Sequence, residues 1–96
     1  MKLSRDSEVE WDSKKAASNL RKHKISFEEA KAVFVDSLAS TWRDDEHSSE
    51  EQRFLTIGCS SNGRVVLVGY AERGERLRIF SARLATKHER KSYEQG

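Results

Sequence analysis

Apolar residues fall at helical spacing over the first third of this chain and at alternating spacing from residue 53 onward, which predicts helices followed by a sheet. A short strand is expected at Glu8–Trp11. Asp12 then stands as a helix N-cap, because its carboxylate can accept from the free N–H groups of the first turn and oppose the positive end of the helix dipole. The helix it opens is expected over residues 13–24, with Ala16, Leu20 and His23 at i, i+4, i+7 and Lys15, Asn19 and His23 on an adjacent stripe. Ser26-Phe27-Glu28-Glu29 is a capping box for a second helix that ends near Val35 or Asp36, with Ile25 placed to staple against Ala30. Phe27, Ala30, Val33 and Phe34 make its core face.

A strand over residues 38–43 comes next, at a sheet edge. Two β-rich runs then flank Asn62-Gly63, the favoured pair for a type I′ turn, which would set Ser61 opposite Arg64. Gly74-Glu75 reads as a second two-residue loop setting Arg73 opposite Arg76. Side chains opposite one another share a face, so these registers assign every strand residue. One face collects Leu55, Ile57, Cys59, Val66, Val68, Tyr70, Leu77 and Ile79, a floor for the helices. The other collects Phe54, Thr56, Gly58, Leu67, Gly69, Ala71, Arg76, Arg78, Phe80 and Ala82. By the same parity Arg64 and Arg83 point to the helix-covered side at one sheet end. Thr86-Lys87-His88-Glu89 is a capping box for a last short helix. The fold class expected is α+β, an antiparallel β-sheet with two N-terminal helices packed on one face and a short C-terminal helix at its rim. Residues 1–7 are expected to be a flexible N-terminus and residues 8–94 a single domain.

Composition narrows the function. At 96 residues the chain allows one small core. It has no apolar run long enough for a membrane span and no apolar segment in its first residues, so the expected compartment is the cytoplasm. The single cysteine, Cys59, reads as a strand thiol. Charge is segregated: residues 44–51 carry Asp44, Asp45, Glu46, Glu50 and Glu51 with no Lys or Arg, whereas residues 64–91 carry eight cations against three acids. The basic half suggests a polyanion surface. The acidic stretch reads as a solvated loop rather than a metal site, and His47 and His88 as exposed loop and helix-start residues.

The chain has no Gly-rich phosphate loop, no paired Cys/His spacing and no G-x-S-x-G elbow, so the parts for nucleotide hydrolysis, zinc chemistry and serine hydrolysis are missing. What remains is a set of Arg and Lys with His, Glu and Tyr. Guanidinium groups match phosphate oxygens bidentately and aromatics stack on unpaired bases. Such a set can cleave RNA without a metal or other cofactor: the 2′-OH attacks its own phosphate, arginines stabilise the added charge, and weak acids and bases move two protons. It also fits a surface that only binds a nucleic acid or an acidic partner, and His23 fits a partly buried histidine satisfied by a carbonyl.

Several separated motifs carry a resemblance. Glu10-Trp11-Asp12 with Lys15-Ala16 and Asn19, Lys22-His23, Ser26-Phe27-Glu28-Glu29-Ala30, His47-Ser48, Glu51-Gln52-Arg53, Gly58, Gly63-Arg64, Ile79-Phe80-Ser81-Ala82-Arg83, Glu89-Arg90 and Tyr93 together resemble the BrnT toxin family. The resemblance implies a RelE-like fold and a type II toxin–antitoxin ribonuclease that arrests growth. It also implies neutralisation by a BrnA-like ribbon-helix-helix antitoxin, through which alone the toxin would meet DNA. Three departures stand out. Lys24 replaces the family's glycine after Lys-His, which argues against a left-handed helix cap; Ser37 replaces a proline, and Phe80 a common isoleucine. On this reading Arg64 and Arg83 bind the scissile phosphate, and Lys15, His23, Glu51 and Tyr93 serve proton transfer or positioning. Arg53, Arg76, Arg78, Phe80 and Lys87 hold the RNA. A non-catalytic nucleic-acid or antitoxin-binding module is the other reading.

Overall fold

A computed structural model describes residues 8–95, so the expected flexible N-terminus lies outside the described residues. Strand β1 (Glu8–Trp11) leads into helix α1 (Ser13–His23), then helix α2 (Phe27–Ala30), which tightens into a 3-10 segment, Lys31–Val35. Strands β2 (Ser40–Arg43), β3 (Arg53–Cys59), β4 (Val65–Arg73) and β5 (Arg76–Leu84) follow, and helix α3 (Lys87–Gln95) closes the chain. The five strands form one sheet in the order β1-β5-β4-β3-β2. It is mixed rather than antiparallel, because β1 runs parallel to β5 on the outer edge. The apolar pattern of a four-residue edge strand does not encode its direction, and the long intervening chain makes a parallel return possible.

The caps form as their sequences dictate. Asp12 accepts from the Lys15 N–H and Ser26 Oγ from the Glu29 N–H, both at 3.0 Å. Against expectation, Lys24 is a left-handed C-cap with φ 60°, and its N–H donates to the Leu20 carbonyl at 3.0 Å. That conformation is costly for a non-glycine residue, but here the Lys24 carbonyl accepts from Arg64 Nη2 at 3.0 Å, which fixes the turn from outside. Leu20, placed on the apolar face of α1 by its spacing, is 48% exposed. Asn19 is the α1 residue that is buried. Its amide donates to the Ala82 carbonyl at 2.8 Å and accepts from the Ala82 N–H at 3.1 Å. It thus continues the β5 edge ladder beyond the last residue of β1, and it also donates to the Ile25 carbonyl at 3.0 Å.

Ile25, Phe27, Ala30, Val33 and Phe34 pack on Val66, Val68, Tyr70, Leu77, Ile79 and Ala82 to make the core on one side of the sheet. Fully burying an aliphatic or aromatic side chain of this kind contributes about 1.5–3 kcal/mol. The Tyr70 ring meets Phe34 edge-on at 4.8 Å, and its hydroxyl accepts from Thr56 Oγ1 at 3.0 Å.

The second turn has the expected register, with Arg73 opposite Arg76 and Gly74 at φ 63°. The first does not. Cys59 pairs with Val65, and within the Ser61-Asn62-Gly63 turn Gly63 alone takes a left-handed φ, 76°. Ser60 explains the slip. Its N–H donates to the Arg64 carbonyl at 2.7 Å, its Oγ accepts from the Arg64 N–H at 3.2 Å and donates to Glu29 Oε2 at 2.6 Å, so Ser60 is pinned opposite Arg64. A one-residue slip moves a whole strand to the other face. Phe54, Thr56 and Gly58 therefore face the helices, and Leu55, Ile57 and Cys59 face the open side, the reverse of the expectation.

A second irregularity lies in β5. Tyr70 is opposite Ile79 while Gly69 is opposite Ser81, so Phe80 is an extra residue, a β-bulge. Beyond it Ala82 turns into the core and Arg83 turns out, again reversing the expected assignment, whereas Arg76 and Arg78 keep theirs on the open face. The expected strand over residues 38–43 is shorter, at Ser40–Arg43, and is an edge as expected.

Candidate active site

The two corrections of register build a cavity. On the open face, Leu55, Leu67 and Gly69 make a floor, and the bulge raises Phe80, Ser81 and Arg83 at one side of it. Lys15 and His23 from α1 reach over the β5 edge, and Asp44, Glu46 and His47 from the turn after β2 close the opposite side. The resulting cavity has a volume of about 520 Å³. A Cβ on Gly69 would stand 2.7 Å from Ser81 Oγ, so the floor is open at that point because residue 69 has no side chain.

Each cation in the cavity is held by something specific. The Arg53 guanidinium lies 3.9 Å from the centre of the Phe80 ring, with Lys15 Nζ 4.9 Å from the same ring. Arg53 Nε is buried and meets no acceptor among the described residues. A buried charged donor without a partner is costly. Arg83 is gripped end-on by Glu89, Nη1 to Oε1 at 2.8 Å and Nη2 to Oε2 at 3.0 Å, and Nη1 also donates to the Leu84 carbonyl. Nε–H and one Nη2–H, the side-on edge of the guanidinium, then have no partner among the described residues. The Arg83 guanidinium holds the pKa of the Glu89 carboxyl at about 2.

The acidic turn is ordered by the same strand. Asp44 N–H donates to the Arg53 carbonyl at 2.8 Å, Ser48 Oγ donates to the Asp44 carbonyl at 2.6 Å, and Ser48 Oγ accepts from the Arg53 N–H at 2.9 Å. Asp44 Oδ2 meets His47 Nδ1 at 2.9 Å. Asp44, Glu46 and His47 each bring one donor atom within 4.8 Å of the others, but the ring nitrogen nearest the carboxylate is already committed to it. The turn is a hydrogen-bonded pair beside a cationic wall.

A sequence profile of the ribonuclease toxin BrnT of type II toxin–antitoxin systems matches residues 11–89. The chain belongs to the BrnT family. A BrnT toxin of this kind acts on RNA and has an antitoxin as partner. Among solved structures, that of the Brucella abortus ribonuclease toxin BrnT, at 1.1 Å resolution, is similar with a TM-score of 0.66 at 22% identity, covering 83% of this chain and 97% of that one. At that identity the likeness speaks for the BrnT fold alone. No curated protein matches the chain significantly.

Of the residues expected to serve a BrnT site, the structure gathers Lys15, His23, Arg53, Phe80 and Arg83 in the cavity. Arg64 is elsewhere. It lies on the helix-covered side, where its guanidinium donates to Glu29 Oε2 at 2.9 Å and Oε1 at 2.5 Å, and it holds that buried carboxyl below the usual range. Arg64 and Arg83 lie at the same sheet end, as expected, but point to opposite faces, so they do not form one site. Glu51 pairs with Arg73 at 2.8 Å, next to the cavity, and the Arg73 guanidinium lowers its pKa. Tyr93 donates to Asp36 Oδ2 at 2.5 Å, a bond that pushes its pKa up to about 12. Burial would raise the pKa of Asp36, but hydrogen bonds from Tyr93, the Cys59 N–H and the Leu38 N–H outweigh it and leave it lowered. Arg76 and Arg78 lie on the open face in ion pairs with Glu8 and Glu10, and Lys87 is exposed at the start of α3.

Sequence reasoning missed His47, Asp44, Ser81 and Gly69. The three-residue spacing from Asp44 to His47 was the available signal for the first pair. Nothing local marks Ser81 and Gly69, which meet only because of the bulge.

Proposed function

We propose that this chain is a RelE-like, metal-independent endoribonuclease toxin that cleaves RNA by attack of a 2′-OH on the adjacent phosphate. One observation carries the reading. The guanidinium groups of Arg53 and Arg83, from two strands, line a cavity that also holds His23 and Lys15, and the side-on edge of Arg83 has no partner among the described residues. In the reaction a 2′-O–P bond forms, the P–5′-O bond breaks, and the products are a 2′,3′-cyclic phosphate and a 5′-hydroxyl. The side-on edge of Arg83 and the guanidinium of Arg53 stabilise the charge that grows on the non-bridging oxygens, where each well-placed donor is worth about 10²–10³ in rate. His23 accepts the 2′-OH proton. Phe80 acts first as the seat of Arg53 and only through it as a platform for a base.

Outside the cavity, Arg73, Arg76 and Arg78 guide the RNA backbone along the open face, with Lys87 at the end of the path. The ion pairs of Arg73 and Arg76 with Glu51 and Glu8 are at the surface, that of Arg78 with Glu10 is half-buried, and surface pairs are weak enough for a phosphate to displace. Arrest of growth follows from RNA cleavage in the cytoplasm. A BrnA-like ribbon-helix-helix antitoxin relieves it and supplies the only route to DNA.

The products decide the chemistry. Purified chain in excess EDTA is expected to leave 2′,3′-cyclic phosphate and 5′-hydroxyl ends on RNA. Cleavage that appears only when a divalent cation is restored, or that leaves 5′-phosphate ends, contradicts the mechanism. Binding without any cleavage would favour the non-catalytic module.

A further inference from the structure

In-line cleavage of RNA needs two proton movements, one from the 2′-OH and one to the leaving 5′-oxygen. The cavity holds two histidines on different walls. His23 shares its wall with the cations Lys15 and Arg83; His47 shares its wall with the carboxylates of Asp44 and Glu46. The two rings are also held differently. A carboxylate can only accept, so the 2.9 Å contact between Asp44 Oδ2 and His47 is a hydrogen bond donated by Nδ1–H. That contact occupies Nδ1 and leaves Nε2 as the ring nitrogen that can exchange a proton. Asp44 is itself anchored: its side chain is 13% exposed, its N–H donates to the Arg53 carbonyl, and its carbonyl accepts from Ser48 Oγ. An aspartate that orients one ring nitrogen so that the other can exchange a proton is a general device for acid–base work.

We propose that His47, positioned by Asp44, is the general acid of this cavity and delivers its Nε2 proton to the 5′-oxygen as the P–5′-O bond breaks. The assignment rests on the ribonuclease reading above and adds to it a residue from the acidic turn. The step balances: the 2′-OH proton passes to His23, the His47 proton passes to the 5′-oxygen, and both histidines re-equilibrate with water after product leaves. The Asp44 carboxylate keeps the Nδ1–H bond while Nε2 gives up and regains its proton. Asp44 is a positioning residue and His47 a catalytic one.

The test uses an RNA oligonucleotide with one mapped cleavage site and its twin in which the bridging 5′-oxygen there is sulfur, whose thiolate leaves without protonation. Against the natural linkage, His47→Ala is expected to slow cleavage by about 10²–10⁴-fold, and Asp44→Asn to cause a smaller loss of kcat with little change in KM. On the sulfur-bridged RNA both variants are expected to recover to within a few-fold of the wild-type chain. Arg83→Ala should stay slow on both substrates, and His88→Ala, on exposed α3, should match the wild type on both. His47 is 62% exposed, so its replacement leaves the fold intact, which thermal melting checks. Natural-linkage cleavage unaffected by His47→Ala, or an equal loss on both substrates, overturns the assignment while leaving the ribonuclease reading in place. A wild-type chain that cuts neither RNA removes the ribonuclease reading and this assignment with it.

Discussion

Asn19 and Arg64 show how a residue can resemble a site residue and be structural. Both belong to the motifs that carry the family resemblance, and both bind within the fold rather than in the cavity. Replacing Asn19 by alanine strands the Ala82 N–H and carbonyl and the Ile25 carbonyl in a buried place. It is expected to destabilise the fold by about 2–3 kcal/mol in chemical denaturation, at the upper end for an unsatisfied buried polar group. Arg64→Ala leaves the Glu29 side chain, 7% exposed, without its guanidinium partner and with Ser60 Oγ as its remaining donor at 2.6 Å. It is expected to lower the melting temperature clearly while the folded fraction retains its cleavage rate. Arg83→Ala does the opposite, with a small change in melting temperature and a loss of about 10²–10³ in cleavage. A guanidinium in a sequence carries no label for the face it will take. The caps at Asp12, Ser26 and Thr86 were legible because their partners lie within three residues. Lys24 was not, because the carbonyl contact that holds its left-handed backbone comes from Arg64, far along the chain.

Elements were legible in kind, and their registers less so. Every strand and helix expected from spacing is present among the described residues, yet two single-residue shifts inverted the faces inferred for β3 and for the end of β5. Asn-Gly favours a two-residue turn on local grounds; the Ser60–Glu29–Arg64 network, a tertiary contact, overrode it. The bulge at Phe80 leaves no mark in an alternating pattern that continues on both sides of it.

Helix α3 is the element whose attachment is most specific and least apolar. It has no buried residue, and Arg83–Glu89 and Tyr93–Asp36 tie it to the rest. Its docking should therefore follow pH at both extremes. Glu89 is depressed to about 2 from 4.5, so its contribution is present above pH 4.5 and is lost as the pH falls toward 2. Tyr93 is raised to about 12 from 10.0, so its contribution is present below pH 10 and is lost as the pH rises toward 12. Hydrogen exchange of the α3 amides is expected to accelerate in both windows, with Glu89→Gln flattening the acid one and Tyr93→Phe the alkaline one. Windows that persist unchanged in the single variants would contradict these attachments.

Across the whole molecule, the charge segregation visible in the sequence resolves into geometry. Arg73, Arg76, Arg78 and Arg83 of the basic half lie on the open face of the sheet, and the acidic turn folds back to wall one side of the cavity. Composition pointed to a basic surface, and the resemblance located the family. Neither could separate the cavity from the rest of that surface, because the separation depends on strand register. On the proposed reading Arg53 and Arg83 act in the chemical step, whereas Arg76 and Arg78 attract RNA. Replacing the latter pair is expected to raise KM and to flatten the log–log salt slope of binding by about 0.7 for each phosphate no longer neutralised. The most direct measurement is the single-turnover rate of RNA cleavage in EDTA for Arg53→Ala/Arg83→Ala beside Arg76→Ala/Arg78→Ala. A loss of at least about 10³ at saturating enzyme is predicted for the first pair and a near wild-type rate for the second. The reverse order, or equal losses, would contradict the placement of the active site in this cavity.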